Sequence, residues 1–599
     1  MKMKHPPMFL RAEFGALPLP KSPAARWGCY GPLVVMLVAF ASRLWRLGAI
    51  KTLVFDETYY VKDAYGLIKR GYEVQWPKEY DDIFISGHLT LPTEGAFVVH
   101  PSVGKWLIGL GIELLGNNPW GWRLAVCLAG SICVFLVGRI VWHLFGNGKM
   151  ATLASVLMAL DGVQIALSRT AILDILLELF ILLGVVFLVR DQLSYRPKLL
   201  TALLRADETR RTLGLRAKRP DLRLAPHEIA PTQAANLMTS NQPEKVPAAA
   251  NPARYRSLAV AIPQETKKTW SFSPLPRSFR KSPQETEKTQ RKGSLLGPVF
   301  WWRPWLFAAG IAWGLATSVK WSGLYVVAVF GIFVFIRELS ARWATEPYWI
   351  SSSVLTGGIP AFLNLVPITA VVYVGSWLGW FLNPNGWGHT GGSGWRDWLE
   401  YHRQILNFHT TLVSDHPYKA SPWGWLLQLR PTSFYYQKVA GNCGKDQCIQ
   451  TVTSLGNPLL WWFGALALVV VIMGSLVFLD WRAGLVLAGY FATFGPWMIY
   501  SNRTIFTFYT VVISPFVVLA VIYTLGVMMG QWRICSDKNW VGRYNLVPRS
   551  FPVNQVQIYL GLFIVALIFL VAVYFFPIWT GMTMPQHQFY WRMWLSSWI

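Results

Sequence analysis

The stretch VQIYLGLFIVALIFLVAVYFF, from Val556 to Phe576, runs for 21 residues without a charged side chain. About 20 apolar residues in a helix match the hydrocarbon thickness of a bilayer, and within that layer only helices and closed barrels satisfy their own backbone. Comparable runs occur at Gly31 to Leu47, Trp120 to Leu144, Met150 to Leu167, Ala171 to Val189, Trp305 to Val319 and Gly323 to Ile336. A further run ends near Phe381, and others cover Leu459 to Leu479, Gly484 to Tyr500 and Ile505 to Met529. The chain is 53% hydrophobic and only 14% charged over 599 residues, too little charge to cover a soluble protein of this length. Its 32 Trp and 23 Tyr suit the aromatic belts of two membrane interfaces. The expected fold is an all-α polytopic membrane protein with about 11 transmembrane helices.

Charge distribution orients these spans. In a soluble protein a net charge of +25 would suggest nucleic acid, but here the excess is local. Residues 191–300 hold 20 Lys and Arg against 9 Asp and Glu, whereas residues 50–99 hold 5 against 8. Positive loops stay cytoplasmic. The expected order is therefore a cytoplasmic tail (1–30), a first membrane region (31–190) with an outer loop at 49–118, and a basic cytoplasmic insert (191–300). A second membrane region (301–577) with an outer loop at 382–457 follows, then an extracytoplasmic tail (578–599). The insert is rich in Pro, Ser, Gln, Thr and Lys, and its composition predicts disorder. Its positive charge also fits anionic lipid.

The face opposite the insert collects the unusual polar residues. Asp56 and Glu57 lie just beyond the first span, and His100 and Lys105 stand where the chain re-approaches the membrane. Arg123 sits in the apolar run PWGWRLAVCLAG; Asp161, Arg169 and Asp174 flank a short turn; His416, Lys419, Arg430 and Arg503 complete the set. Ionisable groups at membrane depth are costly and usually face a cavity or one another. Arg and Lys beside a carboxylate suit an anionic head group and a proton transfer. Each also has an ordinary reading: His100 before Pro101 as a cap, Arg169 with Asp174 as an ion pair closing the hairpin, Lys105 and Arg430 as side chains reaching to lipid phosphate. Cys443 and Cys448 lie in a hydrophilic loop and fit a disulfide outside the cytoplasm. A metal half-site is the other reading of that spacing, but no second ligand pair is nearby. Cys29, Cys127, Cys133 and Cys535 fit packing roles.

Taken in order, FDETYYVKDAY, VVHPSVGKWLIGLG, LDGVQIALSRTAILDI, SVKWSGLY, HPYKASPWGWLLQLRP and GNPLLWW closely resemble the protein O-mannosyltransferase family, in particular its actinobacterial branch. The resemblance spans about Pro32 to Phe576 and leaves out the N-terminal tail and most of the insert. It implies a C-type glycosyltransferase (GT-C) fold, with amphipathic helices in the first outer loop. The implied activity is mannose transfer from polyprenyl-phosphate-mannose to Ser or Thr of proteins being exported. The family's acidic motif falls on Asp56 and Glu57, and its membrane arginine on Arg123. Ser102 departs from the pattern, since relatives commonly have a second proline after His-Pro. There is no space for the large sugar-binding-like outer domain of eukaryotic relatives.

On this resemblance Asp56 is the expected base and Glu57 orients the acceptor or a basic neighbour, with the roles exchangeable. Arg123 and Arg503, helped by Lys105 or His416, are expected at the donor phosphate. His100, Asp161, Arg169, Asp174, Lys419 and Arg430 are expected at the acceptor or as structural support. No metal or cofactor is called for, the lipid-linked sugar being a substrate. The expected partners are the bilayer, secretory acceptor proteins and the protein-export machinery, with no nucleic acid, and the expected location is the plasma membrane. A transferase acting on an envelope glycolipid is the competing enzyme reading. A lipid-linked-sugar transporter is the non-enzyme one, against which stands the lack of a clear internal repeat.

Overall fold

A computed structural model describes residues 23–87, 89–212, 296–444, 446–532 and 554–599. The first helix, α1 (Pro23–Leu44), packs against α5 (Pro119–Phe145) and α6 (Gly148–Ala159). Between α1 and α5 the chain forms α2 (Glu57–Arg70), α3 (Asp81–Ser86) and α4 (Val103–Leu115), the amphipathic helices expected in the first loop. Helix α4 lies so close to α5 that a Cβ on Gly111 would stand 2.4 Å from the Gly121 carbonyl oxygen. Asn118 caps α5 by accepting from the Trp120 and Gly121 amides, and Pro119 opens its first turn, where no amide donor is needed.

The run Met150 to Leu167 is not one helix. It breaks after α6 at Leu160, and the short α7 (Gly162–Leu167) follows from Asp161. Next comes α8 (Asp174–Thr212). Residues 191–212, read from composition as the start of the insert, instead continue α8, because Tyr195, Leu199, Leu200 and Leu203 form a buried helical stripe. The remainder of the insert, the tail before residue 23, and Cys535 lie outside the described residues.

The second region opens with α9 (Pro304–Val319), packed between α8 and α11 (Trp349–Ser376), and α10 (Gly323–Thr345) follows it. The short α12 (Leu378–Leu382) and the amphipathic α13 (Gly394–Thr411) cover one end of this group. Then come α14 (Pro458–Val477), α15 (Trp481–Thr493), α16 (Gly495–Ile499), α17 (Ser514–Met528) and α18 (Gln555–Thr580). Among the described residues six helices are long and apolar enough to cross a bilayer: α1, α5, α10, α11, α14 and α18. Of the other expected spans, α6, α9 and α17 are apolar but under 18 residues, Gly484 to Tyr500 is divided between α15 and α16, and Ala171 to Val189 lies in the longer α8, which carries Asp174, Glu178, Arg190 and Asp191. Exposed Leu562, Phe563, Phe569, Leu570 and Val573 on α18 are the lipid-facing surface of a multi-pass membrane protein.

Among the described residues there is also one small sheet. Strands β1 (Thr432–Lys438), β2 (Cys448–Ser454) and β3 (Met584–Pro585) form an antiparallel sheet in that order. The β1–β2 register skips a residue between Ser433 and Tyr435. Cys443 and Cys448 are joined by the expected disulfide, which closes the hairpin that carries them.

Candidate active site

Glu57 and Arg123 form a closed unit rather than an open binding site. Arg123 Nε and Nη2 donate to the two Glu57 oxygens at 2.8 and 2.7 Å. Its remaining donors go to the carbonyls of Leu47 (3.2 Å), Ile50 (2.8 Å) and Thr52 (3.1 Å). All five N–H donors of the guanidinium are thereby used. Glu57 also accepts from the amides of Ala171 at 2.7 Å and Val54 at 3.0 Å. The pair is buried, 0% and 2% exposed, and pins the start of α2 to α5, to the loop after α1 and to the turn before α8. The expectation that Arg123 holds a donor phosphate is therefore corrected: no donor remains to give. Glu57 orients a basic neighbour, the second of its two expected roles: both its oxygens are taken up by Arg123 and by the Ala171 and Val54 amides.

The residue before Glu57 is Asp56. Phe55 before it adopts the left-handed backbone (φ +50°), an uncommon state for a non-glycine residue. Its ring is wedged among Phe434, Phe506 and Phe508, at centroid distances of 5.1, 6.0 and 5.4 Å. Asp56 occupies the N-cap of α2 but makes no side-chain cap hydrogen bond. The carboxylate is half-buried and pushed up to about 6, first by burial and then by Asp174, with Lys320 opposing.

Asp174 and Lys320 belong to a cavity of about 340 Å³ that also receives His100, His409, Arg503 and Tyr509. Lys320, just past α9, pairs with Asp174, the first residue of α8, at 2.7 Å. Arg503 has no hydrogen-bond partner for its buried Nε, so a cation faces the cavity unpaired. His409 Nε2 donates to the Val99 carbonyl at 3.0 Å, which leaves its buried Nδ1 without a partner; His100 Nδ1 is buried and unpartnered too. The rings stack at 5.5 Å. Burial pushes His100 well below the usual imidazole range and, with Arg503 adding to burial, His409 to about 4, so both are neutral near pH 7. The cavity thus offers two cations, one of them neutralised, and neutral nitrogens for hydroxyl groups.

Trp321 and Leu324 separate this cavity from an apolar groove of about 730 Å³ between α9, α10 and α11. Val327, Ile332, Phe335, Phe362 and Leu365 line the groove. Its polar end is a relay in which Trp321 Nε1 donates to the Tyr373 hydroxyl at 2.8 Å and Tyr373 to His402 Nε2 at 2.7 Å. The arrangement of charged cavity and contiguous apolar groove suits an amphiphile with an anionic head and a long hydrocarbon tail.

Of the residues expected from sequence, the cavity unites His100, Asp174 and Arg503, with Asp56 electrostatically coupled to Asp174 and Lys320. The others stand elsewhere. Lys105 is buried between Glu73 at 2.8 Å and Asp63 at 3.4 Å, so it is not a free phosphate cation. His416 packs on Phe506, its rings 4.9 Å away, and does not line the cavity. Arg169 donates to the carbonyls of Trp45, Arg46 and Thr580, and Asp174 pairs with Lys320, so the expected Arg169–Asp174 ion pair does not form. Asp161 accepts from the Asn457 amide at 3.0 Å and from Trp461 at 2.9 Å. Arg430 donates to Pro417 and Ser597 carbonyls, and Lys419 is exposed. Sequence reasoning missed Lys320, His409 and Tyr509. Lys320 had a signal, a lone cation closing an apolar run.

A multi-pass helical membrane protein with this site is a membrane-embedded glycosyltransferase of the GT-C fold. Residues 33–205 match the family model described as dolichyl-phosphate-mannose-protein mannosyltransferase, and residues 394–598 that of the C-terminal four-transmembrane region of protein O-mannosyltransferase. The chain belongs to the protein O-mannosyltransferase family. It is 27% identical over 590 residues to the polyprenol-phosphate-mannose–protein mannosyltransferase of Mycolicibacterium smegmatis, covering 94% of this chain and 92% of that one. With the protein of the same name from Corynebacterium glutamicum it shares 25% over 617 residues, covering 98% and 96%. The fold superposes on the S. cerevisiae protein O-mannosyltransferase Pmt1–Pmt2 complex bound to the sugar donor with a TM-score of 0.61, at 12% identity over 99% of this chain and 95% of that one.

Proposed function

We propose that this protein transfers mannose from polyprenyl-phosphate-mannose to Ser and Thr hydroxyls of exported proteins, at the extracytoplasmic face of the plasma membrane and with inversion at the anomeric carbon. One observation carries the reading: a half-buried carboxylate that caps nothing, Asp56, is coupled to Lys320 beside a cavity that holds an unpaired Arg503. The names of the mycobacterial and corynebacterial relatives, which state a polyprenol-phosphate-mannose donor and a protein acceptor, support the substrate assignment. The excess of basic residues at 191–300 supports the orientation.

In this mechanism the donor phosphate lies against Arg503 and Lys320, and its hydrocarbon tail follows the groove past Trp321 and Leu324. The acceptor oxygen attacks the anomeric carbon from the side opposite the phosphate. Its proton passes to Asp56, and the anomeric C–O bond breaks with its electron pair leaving on the lipid phosphate. Arg503 and Lys320 stabilise the second negative charge that the phosphate acquires. His100 and His409, being neutral, accept from sugar hydroxyls without competing for the phosphate. The scheme uses no cofactor.

The decisive assay is transfer from labelled mannosyl-phosphoryl-polyprenol to a Ser/Thr-rich secretory peptide, with an envelope glycolipid as the comparison acceptor. Wild-type protein is expected to label the peptide, and Asp56→Asn to lose about 10²–10⁴-fold in rate, the usual contribution of a general base. Labelling of the glycolipid alone would replace the acceptor assignment, and a fully active Asp56→Asn would remove the base.

A further inference from the structure

Strand β1 has a main-chain edge that nothing in the fold uses. It pairs with β2 on one side. Outside that pairing, residues 432–438 make no main-chain hydrogen bond among the described residues. Along Thr432–Lys438, TSFYYQK, there is no proline and the one charge is Lys438 at the outer end, so the inner part of the edge lacks the usual devices that keep an exposed strand from recruiting another. The sheet behind it is firmly held. The Cys443–Cys448 disulfide closes the hairpin, β3 pairs with β2, and His587 of α19 (Gln586–Trp591) meets the Asp446 carboxylate.

The edge also starts against the residue that precedes the candidate base. The register skip between Ser433 and Tyr435 releases Phe434, which is buried with its ring 5.1 Å from Phe55, the residue before Asp56. From there the strand runs outward, and Tyr436, Gln437 and Lys438 are exposed. We infer that the free edge of β1 is the docking site of the acceptor polypeptide, which adds to the sheet as an extended strand with its acceptor hydroxyl at the Phe434 end, beside Asp56. The inference rests on the protein-acceptor reading above and names how that acceptor is held.

Strand addition fits the chemistry required. Its affinity comes from main-chain N–H and C=O groups, which every polypeptide carries, so acceptors of different sequence are held in one register. An extended chain also presents its side chains alternately, placing one hydroxyl toward the carboxylate and its neighbours away from it. Because β1 leads away from Asp56 in one direction, only one flank of the acceptor residue lies along the edge. A loop-like or helical acceptor would satisfy its own main chain and show no such asymmetry.

The experiment is an N-methyl scan of a Thr-containing peptide with wild-type protein in nanodiscs at saturating donor. Each methyl group removes one main-chain donor. We expect KM to rise about fivefold, the worth of a typical main-chain hydrogen bond, at every second position of one flank, with kcat unchanged and the other flank insensitive. Equal effects on both flanks, or none, with the unmodified peptide still turned over, would overturn the inference. In parallel, peptides carrying cysteine at successive positions of the sensitive flank are expected to form a mixed disulfide with Gln437→Cys at alternate positions. Absence of any such cross-link while the peptide is mannosylated would move the acceptor off β1. A wild-type protein that labels only glycolipid would instead overturn the acceptor reading itself.

Discussion

Aspartate at the start of a helix normally accepts from the amide two or three residues on, yet Asp56 does not. Its carboxylate is left for something else, and its folded value of about 6, raised chiefly by burial, sets a testable pH dependence. A base acts deprotonated, so kcat/KM should be lost as pH falls through about 6 and be flat above it. Asp56→Glu should shift that limb, and Asp56→Asn should abolish it together with most of the activity. A wild-type profile flat from pH 5 to 8 would exclude Asp56 as the base. The neighbouring Glu57–Arg123 unit predicts a different phenotype. Removing one partner of a buried ion pair strands the other, at a cost of about 3–5 kcal/mol. Arg123→Ala is thus expected to lower the melting temperature and yield, and Arg123→Lys to remain destabilised because an ammonium cannot meet five acceptors. If Arg123→Ala left stability unchanged and raised only the donor KM, Arg123 would return to the phosphate. In the proposed mechanism that role belongs to Arg503, for which Arg503→Ala should raise the donor KM about tenfold or more, as loss of a charge-assisted hydrogen bond does.

Helices were more legible than the contacts between them. Each apolar run recognised in the sequence contains helix, because run length and hydropathy are local properties, but Met150 to Leu167 and Gly484 to Tyr500 are each divided between two helices and α17 begins only at Ser514. The break at Leu160 and the continuation of α8 to Thr212 were not legible, since both depend on tertiary partners. Strand β1 left a signal in its aromatic run TSFYYQK before a Gly- and Cys-containing turn, but the expectation of an all-helical protein overrode it. Among the site residues, an arginine inside an apolar run reads equally as ligand or clamp. Only the convergence of Leu47, Ile50 and Thr52 carbonyls on Arg123 decides for the clamp. Lys320 meets Asp174 across 146 residues, a pairing no spacing rule contains. The groove along α10 and α11 yields a prediction at this scale. A Cβ at Gly331 has only Leu365, at 3.7 Å, within contact, so a bulky side chain there would project into the groove. Gly331→Phe should weaken a long-chain polyprenyl donor and leave a short-chain donor nearly unaffected. Equal weakening of both would show that the tail takes another path.

Across the whole molecule, α8 runs from the site to the start of residues 213–295. Asp174 at its first residue pairs with Lys320 in the cavity, while Asp191, 17 residues on and roughly 26 Å along the axis, pairs with Arg303. Around Arg303 lies a buried clasp. Arg303 also meets Glu338 at 3.1 Å, Arg342 meets Glu338 at 3.6 Å and Glu346 at 3.5 Å, and Arg342 donates to the Pro298 carbonyl at 2.9 Å. Gln192 accepts from Arg337 at 2.7 Å. The clasp joins the chain just before residues 213–295 to the chain just after them, so helices α8, α9 and α10 are fixed to one another without help from the segment between. Replacing residues 213–295 by a Gly/Ser linker of about a dozen residues should therefore leave the rate of transfer per folded molecule within about twofold of wild type, since such a linker spans roughly 20 Å. Yield in cells is expected to fall, because in the proposed orientation the deleted positive charge helps hold these loops on the cytoplasmic side. Arg303→Met, which leaves Asp191 buried without its cation and Glu338 with Arg342 alone, should be far more damaging than the whole deletion, and melting temperature in detergent compares the two directly. A deletion variant that binds donor, melts normally and yet fails to transfer sugar would give residues 213–295 a part in catalysis. Labelling of a cysteine placed in the segment by an impermeant reagent from outside the cell would invert the topology and carry Asp56 to the cytoplasm with it.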